Sequence, residues 1–331
     1  MTPNIRRRKC LAMLGGALVW PVVARAQQAQ RVRRIAVLIY GGEDSPGSQA
    51  QVAALRDGLK ELGWVEGRNL QIAVRFDSDP GRLRAHAEAV VSQAPDVIVV
   101  YTSAAAKALQ QQTSTIPIVF AGVGDPVLNG LVASLARPEG NITGVTNLFY
   151  SIGGKWVELL KELSPRLAQV ATIFNPELST SHGWFAAIEE AAAKLAVKVV
   201  RIPVRDPVAI EDSVGAFAAE PNGGLIVVPP GLVGAEREMV FRQAAQHRLP
   251  AIYQAKVYAV EGGLMSYGAD AADLFRQSST FVDRILRGAK PGELPVQVPT
   301  RFELAINLKT AKAFGLEVPL TLLARADTVI E

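Results

Sequence analysis

Short apolar runs of strand length recur along this chain, each followed by a helix-length segment, and that order constrains the fold more than any other feature. The clearest run is Ile116-Pro117-Ile118-Val119-Phe120-Ala121-Gly122-Val123-Gly124-Asp125-Pro126-Val127. It begins apolar, bounded by Pro117, as a parallel strand buried on both faces does. It ends in glycines, an acid and a proline, and Val127 to Ala136 then predicts a helix. Asp caps helices well and Pro suits the first helical position, so Asp125-Pro126 reads as a helix entry. Ligands of open α/β sheets also bind beyond the carboxyl ends of strands, so Asp125 is equally a candidate ligand contact.

The alternation runs through the whole chain. Arg33 to Tyr40 predicts a strand, and Gln49 to Leu62 carries Val52, Leu55, Leu59 and Leu62 at helical spacing. Trp64 follows, placed to pack against the end of that helix. Leu70 to Phe76 and Asp96 to Tyr101 predict two more strands, with helices from Asp79-Pro80 and from Ala104 between and after them. Four β-α repeats make a doubly wound parallel sheet. The turn-rich stretch Arg137-Pro138-Glu139-Gly140-Asn141-Ile142-Thr143-Gly144 breaks the pattern and predicts the approach to a domain crossing. Strands at Gln169–Phe174, Val197–Ile202, Gly224–Val228 and Pro250–Tyr253, with helices between them, then predict a second sheet of the same kind. The fold class is therefore α/β, with two doubly wound parallel-sheet lobes.

The 331 residues suffice for two domains with full cores. The formal charge of +4 is misleading. Five basic residues (Arg6, Arg7, Arg8, Lys9 and Arg25) precede Gln27 with no acid among them; without them, thirty Lys and Arg face thirty-one Asp and Glu. On charge, nucleic acid and anionic membrane are poor partners for the remainder. Residues 1–26 have the layout of an export signal: basic Arg6 to Lys9, apolar Leu11 to Val23, and the cleavage pattern Ala24-Arg25-Ala26. Arg7-Arg8-Lys9-Cys10-Leu11 is similar to a twin-arginine signal, with general secretion as the rival route. Cys10 is the chain's one cysteine, so cleavage after Ala26 leaves no thiol for a disulfide, a nucleophile or a metal.

No nucleotide-binding G-x-G-x-x-G follows the first strand, and neither a phosphate-binding G-x-x-x-x-G-K-[ST] nor a G-x-S-x-G nucleophile elbow occurs. The histidines His86, His182 and His247 have no metal-ligand spacing. No base is paired with a nucleophile, so no catalytic residue, metal or cofactor is assigned. Polar side chains gather instead at predicted strand ends. In the first half these are Tyr40, Tyr101, Thr102, Ser103 and Asp125; in the second, Asn175, Ser179, Thr180 and Tyr253, with Thr146 near the crossing. Each has a cap or turn reading of its own. Together, hydroxyls, an amide and helix N-termini from two half-sheets predict a polar cleft suited to an anionic group such as a carboxylate.

Several stretches together carry a family resemblance. They are Leu62-Gly63-Trp64-Val65-Glu66-Gly67-Arg68-Asn69, Gly124-Asp125-Pro126-Val127, Arg137 to Val145, Gly262-Gly263-Leu264-Met265-Ser266-Tyr267-Gly268, and the tail Ile306 to Lys312 with Leu323 to Asp327. With them the chain resembles the ABC-transporter substrate-binding proteins of the type I periplasmic-binding fold, the branch that includes tryptophan- and tyrosine-binding members. The resemblance implies two lobes joined by three crossings near residues 145, 257 and 290. The lobes would be 32–145 with 258–290, and 146–257 with 291–331. It implies a monomeric periplasmic protein that closes over an amino acid or organic acid and docks on an inner-membrane ABC permease. A ligand-sensing subunit that docks on a membrane receptor is the alternative. Relatives that bind amino acids tend to carry an acid after the strand matching Gly224–Val228; here Pro229-Pro230-Gly231 stands there, which leaves an organic acid open.

Cleavage after Ala26 is the expected outcome of export. N-terminal sequencing of protein from a periplasmic fraction should begin at Gln27; an intact Met1 start in cytoplasmic protein contradicts it.

Overall fold

The computed structural model describes residues 31–77, 80–147, 149–176, 182–204, 207–228 and 234–331. The expected signal segment lies outside the described residues. The first sheet has five parallel strands in the order β2-β1-β3-β4-β5: β1 (Arg33–Tyr40), β2 (Leu70–Asp77), β3 (Val97–Val100), β4 (Ile118–Val123) and β5 (Ile142–Thr146). Its helices are α1 (Pro46–Glu61), α2 (Leu83–Ser92) and α3 (Ser103–Gln112). The unbroken apolar runs arise because both faces of this sheet are covered. Along β1, Ile35, Val37 and Ile39 join one core and Ala36 and Leu38 the other; along β4, Val119 and Ala121 face one and Ile118, Phe120 and Val123 the other.

The turn-rich stretch Arg137 to Gly144 leads to a crossing as expected, and its end also starts a fifth strand that the expectation lacked. Asn141 and Gly144 hid it. Gly144 has φ +150°, and a Cβ there would overlap the Phe120 carbonyl oxygen on β4, so β5 closes onto β4 because position 144 has no side chain.

The second sheet has seven strands in the order β12-β11-β10-β9-β8-β6-β7. They are β6 (Gln169–Phe174), β7 (Lys198–Pro203), β8 (Gly223–Val227), β9 (Ala251–Tyr253), β10 (Met265–Ala269), β11 (Phe302–Asn307) and β12 (Thr328–Ile330). Among the described residues the helices between β5 and β10 are α4 (Ile152–Leu163), α5 (His182–Lys194), α6 (Pro207–Ala218), α7 (Gly234–His247) and α8 (Lys256–Val260). One core serves this lobe, centred on buried Trp156, which stacks on Trp184 with ring centroids 5.1 Å apart.

Three crossings join the sheets, and two of them depart from expectation. The chain leaves the first sheet after Thr146. The return expected at Val257 falls later, because β10 pairs in parallel with β9 in the second sheet. It comes at Asp270, whose side chain caps α9 (Ala271–Leu286) by accepting from the Ala272 and Asp273 amides. Helix α9 packs on α1 in the first lobe; Trp64, expected to pack on the end of α1, donates from Nε1 to Asp283 of α9 at 2.8 Å and so ties the two helices together. The last crossing lies not near Lys290 but at residues 298–301, since Gln297 still bonds the Gly144 carbonyl and the Thr146 amide. A chain re-entering the second lobe from the hinge runs opposite to one leaving by it. Strand β11 is therefore antiparallel to β10, the one antiparallel pair among the described strands, while β12 runs parallel to β11. After β11 come α10 (Leu308–Phe314), capped by Asn307 and ended by Gly315 at φ +70°, and the short α11 (Leu320–Leu323).

Gly144→Ala should cost about 1–3 kcal/mol or more through overpacking against backbone. Urea unfolding should show the lower midpoint; an unchanged midpoint contradicts the contact.

Candidate functional site

Strands β5 and β10 both leave their sheets at carboxyl ends and enter crossings, so the carboxyl ends of both sheets face the hinge and the opening beside it. This is where parallel sheets present ligand groups. Two grooves run along β2 on the flank of the first sheet, one by Arg34, Gln71 and Pro95 and the other reaching Phe76 and Glu43 near the strand carboxyl ends.

On the first lobe, Tyr101 follows β3. Its ring lies beside Phe275 at 5.9 Å and over Gly122, which sits at φ +95° in a bulge of β4. A Cβ at Gly122 would run into the Tyr101 ring. Burial pushes the Tyr101 phenol up to about 12, and the Tyr258 phenol of the second lobe adds to the shift. Thr102 then turns the chain with φ 80° and ψ 147°. A β-branched residue there is a genuine outlier, with strain on the order of 1–3 kcal/mol, of the kind that gathers at ligand sites. Its hydroxyl oxygen accepts from the Ala105 amide at 3.4 Å and caps α3. Ser103 Oγ accepts from the Gly124 amide at 3.2 Å and Asn129 Nδ2 at 3.4 Å, tying the end of β3 to the end of β4. Its own hydroxyl proton stays available to a further acceptor.

Asp125 has a different surrounding from the one its sequence predicts. No helix covers 127–136; turns do. The Leu131 and Val132 amides both bond the Pro126 carbonyl, and Gly130 at φ +63° takes the chain out of the helical path. Asp125 still caps: Oδ1 accepts from the Val127 amide at 3.0 Å and the Leu128 amide at 2.9 Å. The Tyr150 phenol donates to Oδ2 at 3.4 Å. Burial, then the Asp125 charge and this hydrogen bond, push Tyr150 up to about 12. Buried Thr146 donates to the Val123 carbonyl at 2.7 Å, with the Gly124 carbonyl at 3.1 Å, so its hydroxyl fastens β5 to the β4 bulge.

On the second lobe, Tyr253 ends β9 and is 1% exposed. It stacks on Tyr258 at 5.4 Å and meets Phe241 edge-on at 5.3 Å, and burial raises its phenol. Among the described residues its hydroxyl has no hydrogen-bond partner. Gln254 Nε2 donates to the Tyr258 hydroxyl at 3.3 Å. Asn175 lies partly exposed just past β6. Ser179 and Thr180 lie outside the described residues, as does the side chain of Tyr40, whose backbone ends β1. The structure thus brings Thr102, Ser103 and Asp125 together on one lobe and sets Tyr253 behind Tyr258 on the other. Sequence reasoning missed Asn129, Tyr150, Gln254 and Tyr258. Tyr258 carried a signal, since it follows a strand end by five residues; Tyr150 carried none, because its partner lies across a crossing.

Among the described residues no group of three His, Cys, Asp or Glu is placed to hold a metal, and no helix is long and apolar enough to cross a membrane. The strand ends of the two lobes thus carry hydroxyls, two tyrosines and a helix N-terminus. The family described as ABC transporter substrate binding protein matches residues 35–330, and the chain belongs to that family. It is 26% identical over 260 residues to a tyrosine-binding protein of Clostridioides difficile, across 78% of this chain and 74% of that one. A conserved domain protein of Vibrio cholerae has the same fold, with TM-score 0.73 and 30% identity over 90% of this chain and all of that one. A Streptococcus pneumoniae ABC domain in complex with L-Trp has TM-score 0.75 and 25% identity over 90% of this chain and all of that one.

Asp125→Asn should bring the Tyr150 ionisation down from about 12 toward the ordinary 10, read as phenolate absorbance against pH. The folded state holds the Tyr150 proton longer than the unfolded state. Tyr150 therefore lowers folding stability as pH rises from about 10 to about 12, and Asp125→Asn narrows that window.

Proposed function

We propose that this protein captures a small carboxylate-bearing solute, an amino acid or an organic acid, between its lobes in the periplasm and delivers it to an ABC importer. The observation that carries the reading is the turn at Thr102-Ser103, which aims the first turn of α3 at the strand ends. The first amides of a helix have no intrahelical partner, and its dipole favours an anion; in α3 Thr102 takes the Ala105 and Ala106 amides, so the anion would address those of Ser103 and Ala104. The side chains that follow are tiny: Ala104 is exposed, and Ala105 and Ala106 are buried beneath, so a ligand oxygen reaches the backbone unobstructed. The Ser103 hydroxyl adds a donor beside those amides. Tyr101 and Tyr258, from opposite lobes, supply apolar faces for the rest of the solute. Relatives that bind tyrosine and L-Trp support a carboxylate ligand. Asp125, already bonded to two amides and Tyr150, is not assigned to a ligand ammonium here. Two lobes on three crossings support capture by hinge closure, with the closed form read by the permease.

Calorimetric titration with amino acids, including tryptophan and tyrosine, and with organic acids tests the reading. A carboxylate ligand should bind in the micromolar range, about −8 kcal/mol. Its methyl ester should lose tenfold or more, about 1.4 kcal/mol, and Ser103→Ala should weaken the acid more than the ester. An ester that binds as tightly as the acid contradicts the assignment of α3.

A further inference from the structure

Tyr150 belongs to the second lobe by its packing. Its ring meets Trp184 edge-on at 5.1 Å and covers Gly183 at the start of α5, where a Cβ would overlap it. Trp184 in turn is 3% exposed and stacked on Trp156 in that lobe's core. Asp125 belongs to the first lobe by its backbone. It follows β4, and its Oδ1 is fixed by the Val127 and Leu128 amides. The hydrogen bond between the Tyr150 hydroxyl and Asp125 Oδ2 therefore joins two bodies, each end held within its own lobe. Tyr150 follows the first crossing by four residues, and Asp125 lies beside that crossing in space, since Thr146 and Asn147 bond the Val123 and Gly124 carbonyls just before it. At 3.4 Å the bond is longer than the usual range of about 2.5–3.0 Å for an O–H···O pair, so it has room to shorten as the lobes approach.

We infer that Tyr150 is a positioning residue for lobe closure: its hydrogen bond to Asp125 is a tether across the hinge that limits how far the lobes open. Loss of an attraction between two hinged bodies moves their mean separation outward, whichever opening the free protein favours. The tether acts through lobe geometry rather than through contact with solute, so it goes beyond the binding role proposed above and is tested without any ligand.

The test is a spin-label distance measurement on the ligand-free protein, carrying Cys10→Ser and single cysteines at the exposed residues Glu88 on α2 and Glu190 on α5. Tyr150→Phe keeps the ring on Trp184 and deletes the hydroxyl; its thermal midpoint should stay near the parent's. Its distance distribution should shift to longer values and broaden. Asp125→Asn keeps the turn cap and a polar partner for the phenol, and should stay with the parent. A Tyr150→Phe distribution that coincides with the parent's overturns the inference. So does an Asp125→Asn shift as large as that of Tyr150→Phe, which would assign the effect to charge rather than to the hydrogen bond.

Discussion

The hydrogen bonds that bind the third crossing to the other two decide the arrangement of the rest of the molecule. Gln297 exchanges bonds with Gly144 and Thr146 at the exit of the first sheet, and the Asp270 amide donates to the Arg301 carbonyl at the exit of the second. Arg301 also pairs with Asp270 at 3.5 Å, and Gln277 of α9 donates to Thr300 at 3.1 Å. A segment held on both sides in this way fixes where each sheet ends, and hence which loops face one another. It also fixes the sense of β11, which must run back against β10. The cleft is the space that these constraints leave open between the carboxyl ends of the two sheets.

Energetically the two lobes stand on their own cores, and the polar residues at the cleft do local work first. Thr102 caps α3, Ser103 holds the β4 loop, Asp125 holds the turn after it, and Thr146 closes the bulge. Under the proposed function these side chains would serve twice. A side chain already fixed by backbone amides needs little further ordering when a solute arrives, so less conformational entropy is lost on binding. The strained turn at Thr102 fits the same pattern, since a β-branched residue keeps a positive φ only where surrounding bonds over-determine it.

The two-sheet α/β plan was legible in the sequence because both faces of the first sheet are buried, which turns β1, β3 and β4 into unbroken apolar runs. Family motifs predicted three crossings. The first lies where expected, after Thr146; the positions of the other two were not legible. Nothing in Gly262 to Gly268 tells which sheet that strand joins; the pairing of Met265 with Ile252 settles it through contacts far apart in sequence. Strand β5 was hidden because it carries Gly144, a turn residue in the sequence that its close approach to β4 requires, and follows Asn141, whose amide bonds the loop before β4. The helix expected after Asp125 failed for a local reason: the Asp-Pro start was read correctly as a cap, but Gly130 ends the path after one turn. For the site, hydroxyls at strand ends were visible as residue types. Tyr150 and Tyr258 were not, because what they touch depends on the meeting of two lobes.

The central claim is that the lobes close over a small solute. Small-angle scattering of the protein, free and saturated with the solute that calorimetry identifies, tests it most directly. The account predicts a smaller radius of gyration in the saturated protein, as hinge closure draws the lobes together. An unchanged radius at saturation would contradict it.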